Sequence, residues 1–385
     1  MEGAPFKRNW SYLPELVLHW ISEKVKSIAD FIRYRTVCSA WRSASLPMPR
    51  HLPPQLPWLM IGHKLNADQD DDGKRLFYDL WKDKMHMLDL PEIVDKGCSG
   101  THRGWILFVA REGREVFLLN PLTRARIPLP PFTFPVRHLG EEWHAPLHHT
   151  PHRFSPHLHF RGIKMIFSSD LTNPDCLITV FLHGQVFCYR VGDLCWTMVK
   201  NPLKNDVADA TFYNRKFYLL YHEGSEEDIV IIDSDNPNEK IPCRFGFKLG
   251  NIRYLLEGRS GVYLVAVKYL MEEGLEDKYE LYQFQEQSLK LKHITDTSNT
   301  TIFNTNNFRF LAICSNDWDC LGGGSMYIVM FIPVYEGNDV VGHRYSIWSK
   351  KLEDGELEQR RDLDEAPLQL IGPDETVMWF QPSLV

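Results

Sequence analysis

Five prolines fall between residues 47 and 57 (PMPRHLPPQLP) and divide the chain into two parts with different hydrophobic periods. Proline cannot continue a helix, and it biases the residue before it toward extended backbone, so this stretch is expected to be a linker rather than part of either element. Before it, apolar residues recur at helical spacing. After it come short apolar and aromatic runs separated by Gly, Asn, Asp and Pro, the pattern of strands and turns. The expected organisation is a helical module over residues 1–46, a linker over 47–57 and an all-β domain over 58–385.

The helical part starts at Pro14, which suits the first position of a helix, where its missing N–H is not needed. Leu16, Val17, Trp20 and Ile21 form one stripe, and Leu18, Ile21 and Val25 form a second beside it. Ser27 and Asp30 have capping-box spacing ahead of Phe31, Ile32 and Tyr34, and Val37, Cys38 and Trp41 supply a third short apolar face. Three helices in about 35 residues bury too little to stand alone, so the module needs a partner or the following domain. The order Leu13-Pro14-Glu15-Leu16, Leu18, Ile21, Asp30, Arg33, Val37-Cys38 and Trp41-Arg42 resembles the F-box motif. That resemblance implies docking onto a Skp-type adaptor, and through it a cullin, with Leu13, Pro14, Leu16, Leu18, Ile21, Val25, Ile32, Val37, Cys38 and Trp41 at the adaptor or in the F-box core. The competing reading is a three-helix cap packed only on its own chain.

At 385 residues and 44% apolar content the chain supports more than one domain. No charged-then-apolar leader opens it, and its longest apolar run, 326–333, is far short of a bilayer crossing, so no membrane contact is expected. Eight cysteines without a C-x-x-C pair point to free thiols in a reducing compartment, the cytoplasm and/or nucleus. The net charge of −7 is uneven, because residues 1–50 carry eight Lys/Arg against four Asp/Glu. A basic helical module would be steered toward an acidic partner. Without a basic stripe on one helix face, nucleic acid is not expected as a ligand.

Beyond the linker the strand-like runs fall into groups at 104–131, 163–200, 209–244, 253–296 and 307–363. Groups of four short strands at this period are what propeller blades require. Residues 57–90 would form a partial sixth unit, completed by Val377-Met378-Trp379-Phe380. The expected fold is therefore a small all-α F-box module followed by an all-β propeller of six blades, with five or seven as the alternatives. Gly104-Trp105, Leu119-Asn120-Pro121-Leu122, Leu129-Pro130-Pro131, Asp175-Cys176, Gly192-Asp193, Trp196-Thr197, Asp209, Lys216-Phe217-Tyr218 and Trp379-Phe380-x-Pro382-Ser383-Leu384 together resemble the β-propeller domain of plant F-box proteins of the KIB type. The sequence departs from that family's pattern around 271–278 and 291–301.

Candidate chemistry is sparse. Asp68, Asp70, Asp72 and Gly73 with Asp79 match the opening of an EF-hand loop, but both flanks read as strands, which makes this an acidic hairpin tip. Seven histidines between 138 and 159 lie among prolines without cysteine, an inter-blade loop rather than a zinc site. Gly322-Gly323-Gly324-Ser325 lacks a following Lys-Ser/Thr and reads as a turn, while Trp105, Trp196 and Trp348 read as blade core. No catalytic residue, metal or cofactor is expected. The resemblance implies a non-catalytic substrate receptor of a ubiquitin ligase, whose target protein no pattern identifies. The alternatives are an F-box scaffold that leads to no degradation and, in a different class, a propeller enzyme.

Overall fold

The structure, a computed structural model, describes residues 10–46, 52, 55–62, 73–94, 96–110, 115–132, 163–182, 184–203, 207–222, 228–236, 238–245, 252–258, 261–268, 278–298, 300–305, 309–314, 324–336, 339–351, 357–362 and 377–383. The candidate residues Asp68, Asp70 and Asp72, the histidines at 138–159, and Gly322 and Gly323 lie outside these ranges.

A 3-10 turn (Trp10–Tyr12) leads into α1 (Glu15–Lys24), α2 (Ile28–Thr36) and α3 (Ser39–Ser43). One expected start shifts by a residue, and at the other the start holds but the capping interaction differs. Pro14 is the N-cap of α1 rather than its first helical residue: its ψ of 142° is extended, which turns its carbonyl into the helix to accept from the Val17 and Leu18 N–H groups. Ser27 does occupy the N-cap of α2, but no capping box forms. Its hydroxyl accepts instead from Lys82 Nζ at 2.8 Å, and Asp30 pairs with Arg33 at 2.6 Å on the exposed side.

The strands form six sheets. Blade 1 runs from the axis outward as Val377–Phe380, Trp58–Gly62, Lys74–Asp79 and Lys84–Asp89. Blade 2 is Lys96–His102, Trp105–Ala110, Val116–Leu119 and Arg126–Leu129, and blade 3 is Lys164–Phe167, Leu177–Leu182, Gln185–Arg190 and the two-residue Thr197–Met198. Blade 4 holds Val207–Tyr213, Lys216–Tyr221, Ile229–Asp233 and Lys240–Cys243, and blade 5 holds Ile252–Gly258, Gly261–Lys268, Lys278–Gln285 and Lys290–His293. Blade 6 has five strands, with Arg309–Cys314 added inside Thr300–Thr305, which runs parallel to Ser325–Glu336 before Asp339–Lys351 and Leu357–Asp362. First strands of neighbouring blades pack on one another around the axis, and the ring closes where Val377–Phe380 touches both Thr300–Thr305 and Lys96–His102.

Tight turns follow from local chemistry. Asn214 and Arg215 both take positive φ (48° and 62°) between the first two strands of blade 4, the geometry that suits the twist of a two-residue hairpin. Asp79, nominally the twelfth residue of the acidic motif, ends a strand and accepts from the Trp81 and Lys82 N–H groups, so it shapes the next turn. Gly104 takes a φ of +84°, and a Cβ there would stand 2.4 Å from the Ser383 Cβ, so only glycine lets the C-terminal segment pass. Trp105 and Trp196 are buried in the core between blades 2 and 3.

Charged groups lace the blades near the axis. Asp209, 5% exposed, accepts from Lys164 Nζ (2.8 Å), the Leu255 N–H (2.7 Å) and the Ala210 N–H (2.8 Å), and Lys164 also donates to the Leu255 carbonyl. This pair ties blades 3, 4 and 5. Glu257 of blade 5 faces the opposite blade of the ring, with Arg103 Nη2 at 2.6 Å and His102 Nε2 at 3.4 Å. His102 Nδ1 accepts the Phe167 N–H at 3.1 Å, which leaves Nε2 to carry the proton of the neutral ring. Burial pushes the His102 pKa down. Burial pushes the Glu257 carboxyl up, but the hydrogen bonds of His102 and Arg103 and the Arg103 charge outweigh it and hold it below the ordinary range. Both groups bind protons less readily folded than unfolded, so their stabilisation is complete above the ordinary histidine range and is lost as pH falls through it and then through the carboxylate range. The melting temperature is expected to fall between about pH 7.5 and about pH 5, and His102→Gln, which reproduces the neutral ring's donor and acceptor, to flatten that decline. A wild-type curve that stays level over this interval contradicts the assignment.

Candidate functional site

The helical module is the candidate site, and its small core dictates which side chains remain outside. Leu18, 1% exposed, packs with Tyr34 and Ala44, flanked by Leu13 and Trp41. The Tyr34 hydroxyl donates to the Leu18 carbonyl at 2.7 Å, and its ring lies 4.7 Å from that of Trp41. The Trp41 indole N–H donates in turn to the Trp10 carbonyl at 3.1 Å, which pins the 3-10 turn beside α3. Arg35 donates to the carbonyl and hydroxyl of Ser45 at 3.0 and 2.8 Å, and this holds the end of α3 against α2. The Tyr34 phenol is buried in this core, which pushes its pKa up.

With Leu18 turned inward, the other stripe of α1 faces solvent. Leu16 is 59% exposed and Trp20 59%, one helical turn apart, and Ile21 beside them is 37% exposed. Val37, after α2, is 54% exposed, and Pro14 is exposed at the start of α1. The ten residues singled out from sequence therefore separate by position. Pro14, Leu16, Ile21 and Val37 are exposed, Leu13, Cys38 and Trp41 are half-buried, and Leu18 is internal. Val25 and Ile32 point the other way, packing with Ile28, Phe31, Leu52 of the linker and Leu122 of blade 2. The sequence-derived set omits Trp20, Trp10, Tyr12 and Leu46, all more than half exposed. For Trp20 the signal was present, since it lies four residues after Leu16 on the same helix face.

Charged side chains share the three helices with these apolar ones. Glu15, Glu23 and Asp30 stand against Lys24, Arg33, Arg35 and Arg42 on the three helices, and the His19 ring lies 3.4 Å from Glu23 at the surface. Among the described residues no group of three or more His, Cys, Asp or Glu side chains is placed to hold a metal ion, and no helix is long and apolar enough to cross a membrane.

Comparison with known proteins agrees with this architecture. The family model described as KIB1-4 beta-propeller matches residues 77–349. F-box protein SKIP23 of Arabidopsis thaliana is 24% identical over 358 residues, covering 83% of each chain. Putative F-box protein At2g33200 of the same plant is 33% identical over 301 residues, 72% of this chain and 73% of that one. F-box/kelch-repeat protein KIB1, also of Arabidopsis thaliana, is 35% identical over 220 residues, 55% of this chain and 50% of that one. With three N-terminal helices, a six-bladed ring and these relatives, the chain belongs to the KIB1-4 β-propeller family of plant F-box proteins.

Proposed function

We propose that the chain is the substrate receptor of a Skp–cullin–F-box ubiquitin ligase. The helices dock a Skp-type adaptor through Leu16, Ile21, Val37 and Pro14, joined by Trp20, and the propeller holds a target protein. The observation that carries this reading is the exposed stripe of α1 on a module whose own core is already complete without it. The reaction belongs to other subunits. A target lysine amine attacks the thioester carbonyl on the ubiquitin carrier, an isopeptide C–N bond forms as the C–S bond breaks, and the amine's proton ends on the released thiol. This chain contributes proximity, which raises the effective concentration of that lysine. A cytoplasmic and/or nuclear location goes with this role.

Reconstitution tests the proposal. Purified full-length chain is expected to co-elute with a plant Skp-type adaptor, and with a cullin once the adaptor is present. Failure to bind the adaptor at micromolar concentrations overturns it. Ubiquitin-remnant profiling of cells with and without the protein then separates a receptor from a pure scaffold, which changes no target's modification.

A further inference from the structure

The helices are seated on the propeller by contacts that leave the exposed docking stripe free. An α-helix begins with N–H groups that have no partner within it, and the N-cap Ser27 satisfies none of them, its hydroxyl accepting instead from Lys82, in the turn between the third and fourth strands of blade 1. Gln55 of the linker takes over. Its Oε1 accepts the Ile28 N–H at 3.1 Å and its Nε2 donates to the Lys26 carbonyl at 3.2 Å, so one side chain grips both sides of the bend between α1 and α2. Beneath it Ile28 (2% exposed) and Phe31 (0%) are sealed by Leu52 and by Leu122, in the turn between the third and fourth strands of blade 2. A tether that merely joined two bodies would not bury Phe31 completely.

We propose that Gln55 is a positioning residue: with Lys82 and Leu122 it clasps the docking helices onto the rim of blades 1 and 2, and so fixes which lysines stand within reach of the ligase. The second half of this statement rests on the receptor reading above, whereas the clasp itself does not. The hydrogen bonds of Gln55 go to Ile28 and Lys26, outside the exposed stripe, so its effect on adaptor affinity is expected to be less than about twofold, while its effect on geometry is direct. Proximity raises rates only when the reacting groups are held in register, and a loosened joint spreads the same lysines over a larger volume.

Hydrogen exchange on the full-length chain tests the clasp. In Gln55→Ala the amides at the start of α2 are expected to exchange about tenfold faster, the loss of roughly one hydrogen bond, with propeller amides unchanged. Gln55→Glu keeps an acceptor for the Ile28 N–H and is expected to retain most of the protection. Unchanged exchange in Gln55→Ala overturns the clasp whatever the ligase does. In the reconstituted ligase, mass spectrometry of lysines modified on this chain is expected to show a restricted set for wild type and a broader one for Gln55→Ala at equal adaptor occupancy. Faster exchange with the same set of modified lysines, or with none in either protein, overturns the positioning role. Loss of adaptor binding by the wild type overturns the receptor reading and leaves the exchange result standing.

Discussion

Aspartate at both Leu16 and Ile21 is expected to weaken adaptor binding at least about 100-fold while the chain stays folded. Full burial of a Leu or Ile side chain is worth roughly 1.5–3 kcal/mol, of which only the share still exposed, 59% for Leu16 and 37% for Ile21, is gained at an interface, and each carboxylate would in addition enter it without a partner, at a cost of about 1–3 kcal/mol or more. Two such losses exceed the roughly 2.7 kcal/mol that corresponds to 100-fold. Because Leu16 and Ile21 are exposed in the free chain, neither change removes a contact of the module's own core. Leu18→Asp supplies the contrast. It places a charge beside Tyr34 and Ala44, and is expected to unfold the helices themselves, visible as lost helical circular dichroism. Titration calorimetry with purified adaptor measures the first effect, and retention of wild-type affinity by the double variant would show that α1 docks nothing. Leu13 is a poorer site for the same test, since its side chain flanks the buried cluster and its replacement mixes folding with binding.

The parts of this architecture that were legible in the sequence are those where one residue type has one physical use. Prolines at 47–57 mark the change from helical to strand period, and the first strands begin at Trp58. The completion of a partial unit by Val377–Phe380 was legible because that run is apolar while the unit at 57–90 had one strand too few. Other features depend on distant partners. Lys96–His102 (KGCSGTH) lacks aliphatic alternation, and Gly100 lies against the Ile163 carbonyl at the start of blade 3 with no room for a side chain, so from sequence the blade reads as beginning at Gly104. The fourth strand of blade 5, Lys290–His293, is mostly exposed and carries no apolar period. The extra strand Arg309–Cys314 is fixed by its position beside Thr300–Thr305 and Ile252–Gly258. The Ser27–Asp30 spacing has the form of a capping box, but Lys82 lies 55 residues away in sequence and no local pattern encodes its arrival at the Ser27 hydroxyl. Side-chain direction on α1 is likewise set by which stripe finds Tyr34, and that choice leaves Leu16 and Trp20 outside.

Removing residues 377–385 is expected to abolish cooperative folding of the β-domain, the largest effect foreseen for any short deletion. The segment supplies the innermost strand of blade 1, in register with Trp58–Gly62, and it touches both Thr300–Thr305 of blade 6 and Lys96–His102 of blade 2. Trp379 stands 4.9 Å from the Phe303 ring of blade 6, Phe380 stands 5.3 Å from the Phe77 ring of blade 1, and the Trp379 carbonyl accepts from Thr101 Oγ1 of blade 2. Beyond the strand, the Ser383 carbonyl accepts from the Asn120 side chain at 2.9 Å. Without these contacts the ring opens, and Trp58–Gly62 becomes an unpaired apolar edge that favours aggregation. Trp379→Ala is the graded version. A buried tryptophan truncated to alanine costs about 3–5 kcal/mol, a large share of the roughly 5–15 kcal/mol that holds a domain together, so the melting temperature is expected to drop by about 10 °C. A synthetic peptide of residues 374–385 added to the truncated chain is expected to restore part of the transition, because the vacated edge presents the same N–H and C=O groups to a strand supplied in trans. A truncated chain that melts cooperatively at the wild-type temperature would mean that the ring is closed by something other than this strand.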